Sequence, residues 1–207
     1  MRNHHPDAIR AREQAYGEQA AIPELFMHAA AVHEAGHIAV ATAIGQTVQN
    51  ARLTHDGGAT RIQRGGTVAD VIGAMVVAAA GKCAQKKYGA THNYYSRWSE
   101  DDDRELVRLA VGLVEAKPNR ADRKQAALQL IAGAEAAAAQ MIENLWDNLE
   151  GIADELLRVE ELDAGDVERL TRGIERINFR SPRVGEGEVD GVPFRWRDDG
   201  YLRPIRQ

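Results

Sequence analysis

At 207 residues the chain is long enough for one substantial domain with its own core. Its 44% hydrophobic and 28% charged residues argue against wholesale disorder. A formal net charge of −5 argues against a nucleic acid or an anionic membrane as partner, and a single cysteine, Cys83, rules out an intrachain disulfide.

Residues 1–22 are polar and read as an N-terminal arm carrying His4 and His5, which are expected to be solvated. The arm has no apolar stretch of the signal-peptide kind. The apolar run around Ala74–Ala80 is too short to cross a bilayer, so a cytoplasmic protein without a membrane segment is expected. Pro23 and Glu24 suit a helix start, and the Ala-rich run that follows predicts a helix over 23–44 with Gly45 as its C-cap. Alternation over Thr47–Thr54 and again at Thr60–Ile62, around His55-Asp56-Gly57-Gly58, predicts a hairpin or small sheet.

An apolar helix is predicted over 67–88, nearly apolar over its central turns, with Gly89 as its stop and Cys83 as a small buried hydrophobe. Residues 90–98 read as a loop with His92, Tyr94 and Tyr95, packed by its aromatics. A third helix is expected from Ser99 to Ala116, ended by Pro118. A long fourth follows over 119–159, with a stripe at Ala138, Ile142, Leu145, Leu149, Ile152 and Leu156 and with Trp146 in the core. Leu162-Asp163 reads as a turn into a short helix over 164–176, and a small hairpin is expected between Val192 and Leu202. The fold class is therefore mainly α (α+β), with its working domain over 23–178 and an extension over 179–207.

One motif carries chemistry. His33-Glu34-Ala35-Gly36-His37 is an HExxH in mid-helix. Positions i and i+4 share a helical face, so His33 and His37 can converge on one ion, here expected to be Zn2+. Glu34, one residue round, can reach a water on that ion and serve as general base. His28 stands at the wrong angle to join them. A third ligand is expected from Glu100-Asp101-Asp102-Asp103, although these acids also suit the first turn of a helix capped by Ser99. On spacing alone the choice among the four stays open.

The sequence resembles the peptidase part of the FtsH-type zinc metalloproteases. The resemblance rests on HEAGHIAV at 33–40, Ala80-Gly81-Lys82-Cys83-Ala84 with Tyr88-Gly89, Asp102 with Leu109-Ala110 and Leu113-Val114, and the stretch Leu156–Asp163. It covers about residues 25–175. It implies a helical zinc-peptidase domain with a small sheet after the HExxH helix, Asp102 as third ligand beside His33 and His37, and Glu34 as base. It also implies a sheet edge that pairs with extended substrate. The sequence departs from the family at Ala80, at Gln85-Lys86 in place of a Glu pair, and at Trp98-Ser99-Glu100 before the aspartate.

No GxxxxGK[ST] phosphate loop is present. The expected activity is thus a zinc-dependent endopeptidase without its own ATPase, acting on flexible or unfolded polypeptides. The resemblance also admits a homo-oligomer and a separate unfoldase partner. Two other readings are a protease of narrow regulatory specificity and a non-catalytic, zinc-stabilised binding protein. Retention of Glu34 argues against the last.

Overall fold

A computed structural model of the chain describes residues 18–54, 57–63, 68–89, 98–115, 119–177, 187–189, 192–196 and 202–204. Among these residues there are six helices: α1 (Glu18–Ala43), α2 (Val68–Tyr88), α3 (Trp98–Val114), α4 (Arg120–Asn144), α5 (Trp146–Val159) and α6 (Ala164–Thr171). The strands are β1 (Thr47–Thr54), β2 (Gly57–Gln63), β3 (Glu161–Asp163), β4 (Gly187–Val189), β5 (Val192–Trp196) and β6 (Leu202–Pro204). The architecture is mainly helical with a small antiparallel sheet, as the sequence pattern implies.

Helix α1 is the axis of the molecule. Every residue from 29 to 41 is buried, and α2, α5 and the β1-β2 hairpin pack around it. A helix enclosed on all sides needs small side chains where its neighbours come close, which explains its alanines. At the crossing with α2 even alanine is too large. A Cβ on Gly36 would stand 2.8 Å from the Ala84 Cβ and 2.9 Å from the Ala80 carbonyl oxygen. The helix ends at Gly45, whose φ of +80° closes a paired turn: Gly45 N–H bonds the Thr42 carbonyl at 3.0 Å and Gln46 N–H the Ala41 carbonyl at 2.8 Å.

The sheet has the order β2-β1-β3, both pairings antiparallel, with a register shift between Val48 and Asn50. Strand β3 stands where the sequence predicts only a turn. Glu160 takes the left-handed conformation (φ +63°), and its carbonyl accepts from Leu53 N–H at 2.7 Å, which lays Leu162 against Ala51. Asp163 then caps α6 by accepting from Asp166 N–H at 2.9 Å.

Three boundaries differ from expectation. Helix α1 begins at Glu18 rather than Pro23, inside the stretch read as the arm, and α6 stops at Thr171 rather than 176. The predicted helix over 119–159 is two helices, broken at Leu145 with φ −104° and ψ 9°. Its apolar stripe nonetheless runs on across the break, because Leu145 and Leu149 keep their i→i−4 hydrogen bonds. The C-terminal residues add a second sheet of order β4-β5-β6 beside α4, in which β5 and β6 form the hairpin expected there. No helix of the described residues is long and apolar enough to cross a membrane.

Gly36 supplies a direct test of the α1–α2 crossing. An exposed helical Gly→Ala gains up to about 1 kcal/mol in propensity. Gly36→Ala is expected instead to lose about 1–3 kcal/mol through overpacking, read as an earlier denaturant midpoint. A later midpoint would contradict the close crossing.

Candidate metal centre

Helix geometry brings His33 and His37 to the same side of α1, with ring centroids 4.6 Å apart and planes at 80°. Both side chains are buried. From the first turns of α3, Asp102 reaches into the space between them. Its Oδ2 lies 2.8 Å from His33 Nε2 and 3.1 Å from His37 Nε2, and the two Nε2 atoms are 3.0 Å apart. These three side chains can hold a metal ion. Tetrahedral ligands at zinc–nitrogen and zinc–oxygen distances of about 2.0–2.1 Å stand roughly 3.3 Å from one another, close to the observed triangle.

The surroundings fit a cation on these atoms. Val77 on α2 accepts a hydrogen bond from His37 Nδ1 at 2.7 Å, which puts the ring proton on Nδ1 and turns the Nε2 lone pair toward Asp102. A Cβ on Gly81 would stand 2.5 Å from His33 Nε2 and 2.6 Å from His37 Nε2. Any side chain at position 81 would therefore fill the space at the two Nε2 atoms. The electrostatics agree. Burial pulls the His37 pKa down, but the charge and hydrogen bond of Asp102, with Glu34 and the Val77 carbonyl, bring it to about 9. Burial works against the Asp102 carboxylate as well, yet the two histidines hold it far below the usual carboxylate range. The cluster stabilises positive charge at the point where its three donors meet.

Glu34 is buried on the same helix and is held from the sheet. Thr60 Oγ1 on β2 donates to Glu34 Oε2 at 2.6 Å. A Cβ on Gly58 would come within 2.5 Å of the Glu34 Cγ, so the strand lies directly against the carboxylate stem. The histidines, Glu34, Asp102, Thr60 and Val77 line one open cleft of about 290 Å3, whose α3 rim carries Asp101 and Glu105. This volume approaches the lower end of small-ligand sites.

The structure thus brings together all four residues singled out in the sequence. The acidic cluster is sorted by its helix. Asp101 is exposed, and Asp103 meets Lys82 of α2 at 3.1 Å, a half-exposed pair that links α2 to α3 and adds little to stability. Ser99 is the second residue of α3 rather than its cap. Gln85 is fully buried and donates from Nε2 to the Ala29 carbonyl at 3.2 Å, tying α2 to α1 at a place where a carboxylate would be buried against a carbonyl.

Gly58, Thr60, Val77 and Gly81 went unrecognised as site residues. A glycine inside an apolar helix was the available signal for Gly81; the other three carry none. Cys83 is partly buried, its thiol pushed up to about 11 by burial and Glu135, in keeping with a packing role. Trp146 packs against the core at the start of α5, with the Lys87 ammonium 5.1 Å from its ring centroid. His28 lies on α1 outside the cluster, and His4, His5, His92, Tyr94 and Tyr95 fall outside the described residues. Comparison with protein-family models and with curated proteins finds no match.

Neighbouring acids allow a sharp test of the third donor. Asp102→Ala is expected to weaken divalent-metal binding by more than about 100-fold, beyond the loss of an outer-shell partner. Asp101→Ala should leave binding unchanged. Competition against a chromogenic chelator reads both, and equal losses would remove Asp102 from the donor set.

Proposed function

We propose that the protein is a zinc-dependent endopeptidase, with His33, His37 and Asp102 as zinc ligands and Glu34 as general base. The observation that carries this reading is that three converging donors and a buried, strand-held carboxylate line one open cleft beside a sheet edge. Among the described residues the donor set has three members. Structural zinc sites are closed by four protein ligands, whereas catalytic sites use three and leave a position open. A structural site also has no use for an adjacent carboxylate, which weighs against a non-catalytic zinc-stabilised module.

Zinc bound here would supply Lewis-acid chemistry, lowering the pKa of water toward neutrality and polarising a peptide carbonyl. The chain's own residues do the rest. Glu34 takes the proton from the attacking water and passes it to the departing amine nitrogen as the C–N bond breaks. Thr60 holds Oε2 and so fixes the carboxylate in the cleft. An extended polypeptide adds to the outer edge of β2, and its backbone hydrogen bonds bring a peptide group over the metal cleft. Such pairing requires a flexible or already unfolded substrate, so a folded one has to be unfolded first. The resemblance to the FtsH-type peptidases points the same way.

Two substitutions test the roles. Glu34→Gln keeps shape and hydrogen bonding but cannot accept a proton, so cleavage of unfolded casein should fall by at least about 100-fold with metal content unchanged; persisting cleavage would remove Glu34 from the mechanism. Thr60→Val frees the carboxylate from its strand and should lower kcat by about tenfold with little change in KM. An unaltered kcat would make the Thr60 contact incidental.

A further inference from the structure

The outward face of the β2-β1-β3 sheet carries a second cleft, of about 480 Å3, which adjoins the metal cleft and shares Ala59, Thr60 and Ile62 with it. Its charged lining comes from all three strands: Arg52 on β1, Arg61 on β2 and Glu161 on β3. Strand alternation sorts these residues. Along β2, Gly58, Thr60 and Ile62 are the partly buried positions, while Ala59 and Arg61 are exposed.

Register then fixes who stands beside whom. Arg52 is paired with Ala59, and Arg61 with Asn50, so the two arginines are diagonal neighbours on one face. Ala59 is the residue between Arg52 and the sheet edge, and its small side chain leaves Arg52, which is exposed, room to reach past it. On the other side Arg52 is in register with Glu161. Arg61, on the outermost strand, has no acidic residue opposite it. The edge half of this face is therefore cationic in a chain of net charge −5, while the α3 rim of the metal cleft carries Asp101 and Glu105.

We propose that Arg61 and Arg52 form a specificity subsite for an acidic side chain of the substrate, next to the bond that is cleaved. A polypeptide strand paired to β2 turns every second side chain onto the outward face. The side chain opposite Ala59 or Arg61 meets Arg61 directly and Arg52 across Ala59, and a planar guanidinium matches a carboxylate in two hydrogen bonds. Because Ala59 and Arg61 flank Thr60, the strand residue that touches Glu34, the selected side chain lies within one or two residues of the scissile bond. The inference rests on the peptidase reading for its substrate, and it adds the chemistry that selects among polypeptides.

The test uses the zinc-loaded full chain and quenched-fluorescence peptides identical except at single positions, which hold Asp, Ala or Lys. At one position near the cleavage point, the Asp peptide should exceed the Ala peptide by about tenfold in kcat/KM, mainly through KM, and the Lys peptide should be poorest. The preference should shrink as salt rises, since both arginines are exposed. Arg61→Glu should reverse the order of the Asp and Lys peptides. Equal kcat/KM for all three peptides at every position would overturn the subsite and leave the peptidase reading standing.

The same peptides are also titrated against the Glu34→Gln chain by fluorescence anisotropy. Should the wild-type chain cleave none of them, tighter binding of Asp peptides that Arg61→Glu abolishes would uphold the subsite and discard the peptidase reading. Absence of charge-dependent binding would overturn the subsite as well.

Discussion

Two imidazoles and two carboxylates sit in or beside a core made mostly of Ala, Val, Ile, Leu and Met, and the fold is organised around satisfying them. Polar groups removed from water cost several kcal/mol each unless they find partners, and isolated buried charges cost far more. Here each partner comes from a different element. Asp102 arrives from α3, the Val77 carbonyl and the Gly81 clearance from α2, and Thr60 from β2. Helix α1 brings its two histidines together by itself, but the cluster is complete only with all three neighbours in place.

That constraint accounts for features that packing alone would not favour. Glycine in a helix interior costs roughly 0.5–1 kcal/mol relative to alanine, yet Gly36 and Gly81 both stand in the middle of long helices. Gly36 sets how closely α2 can approach α1, and Gly81 converts that approach into room at the two histidine Nε2 atoms. The Lys82–Asp103 pair and the Gln85–Ala29 bond then fix α2 against α3 and α1 without adding charge to the deepest layer. The site and the crossing are one construction, so a change that loosens the crossing also moves the donors.

The sequence made the centre of this construction legible because helical periodicity is rigid. An HExxH on a helix leaves its histidines one turn apart, and Gly45 announces the helix end. Partners distant in sequence were less legible. Asp102 was one acid among four until α3 turned it inward, and only the family resemblance singled it out. Thr60 and Val77 act through strand position and a backbone carbonyl, for which residue type gives no signal, and Gly58 reads as an ordinary turn glycine until the strand is laid against Glu34. The break at Leu145 was invisible because it contains neither Gly nor Pro and leaves the apolar stripe intact. Strand β3 was missed because three residues are too few to show alternation and depend on β1 for their hydrogen bonds.

The proposed chemistry requires zinc on the His33–His37–Asp102 cluster. The most direct measurement is metal content by elemental analysis of untagged chain purified without chelator, followed by titration with added zinc. About one zinc per chain, displaced only by a strong chelator, is the predicted result. A chain that carries no zinc and takes up none on addition would contradict the account.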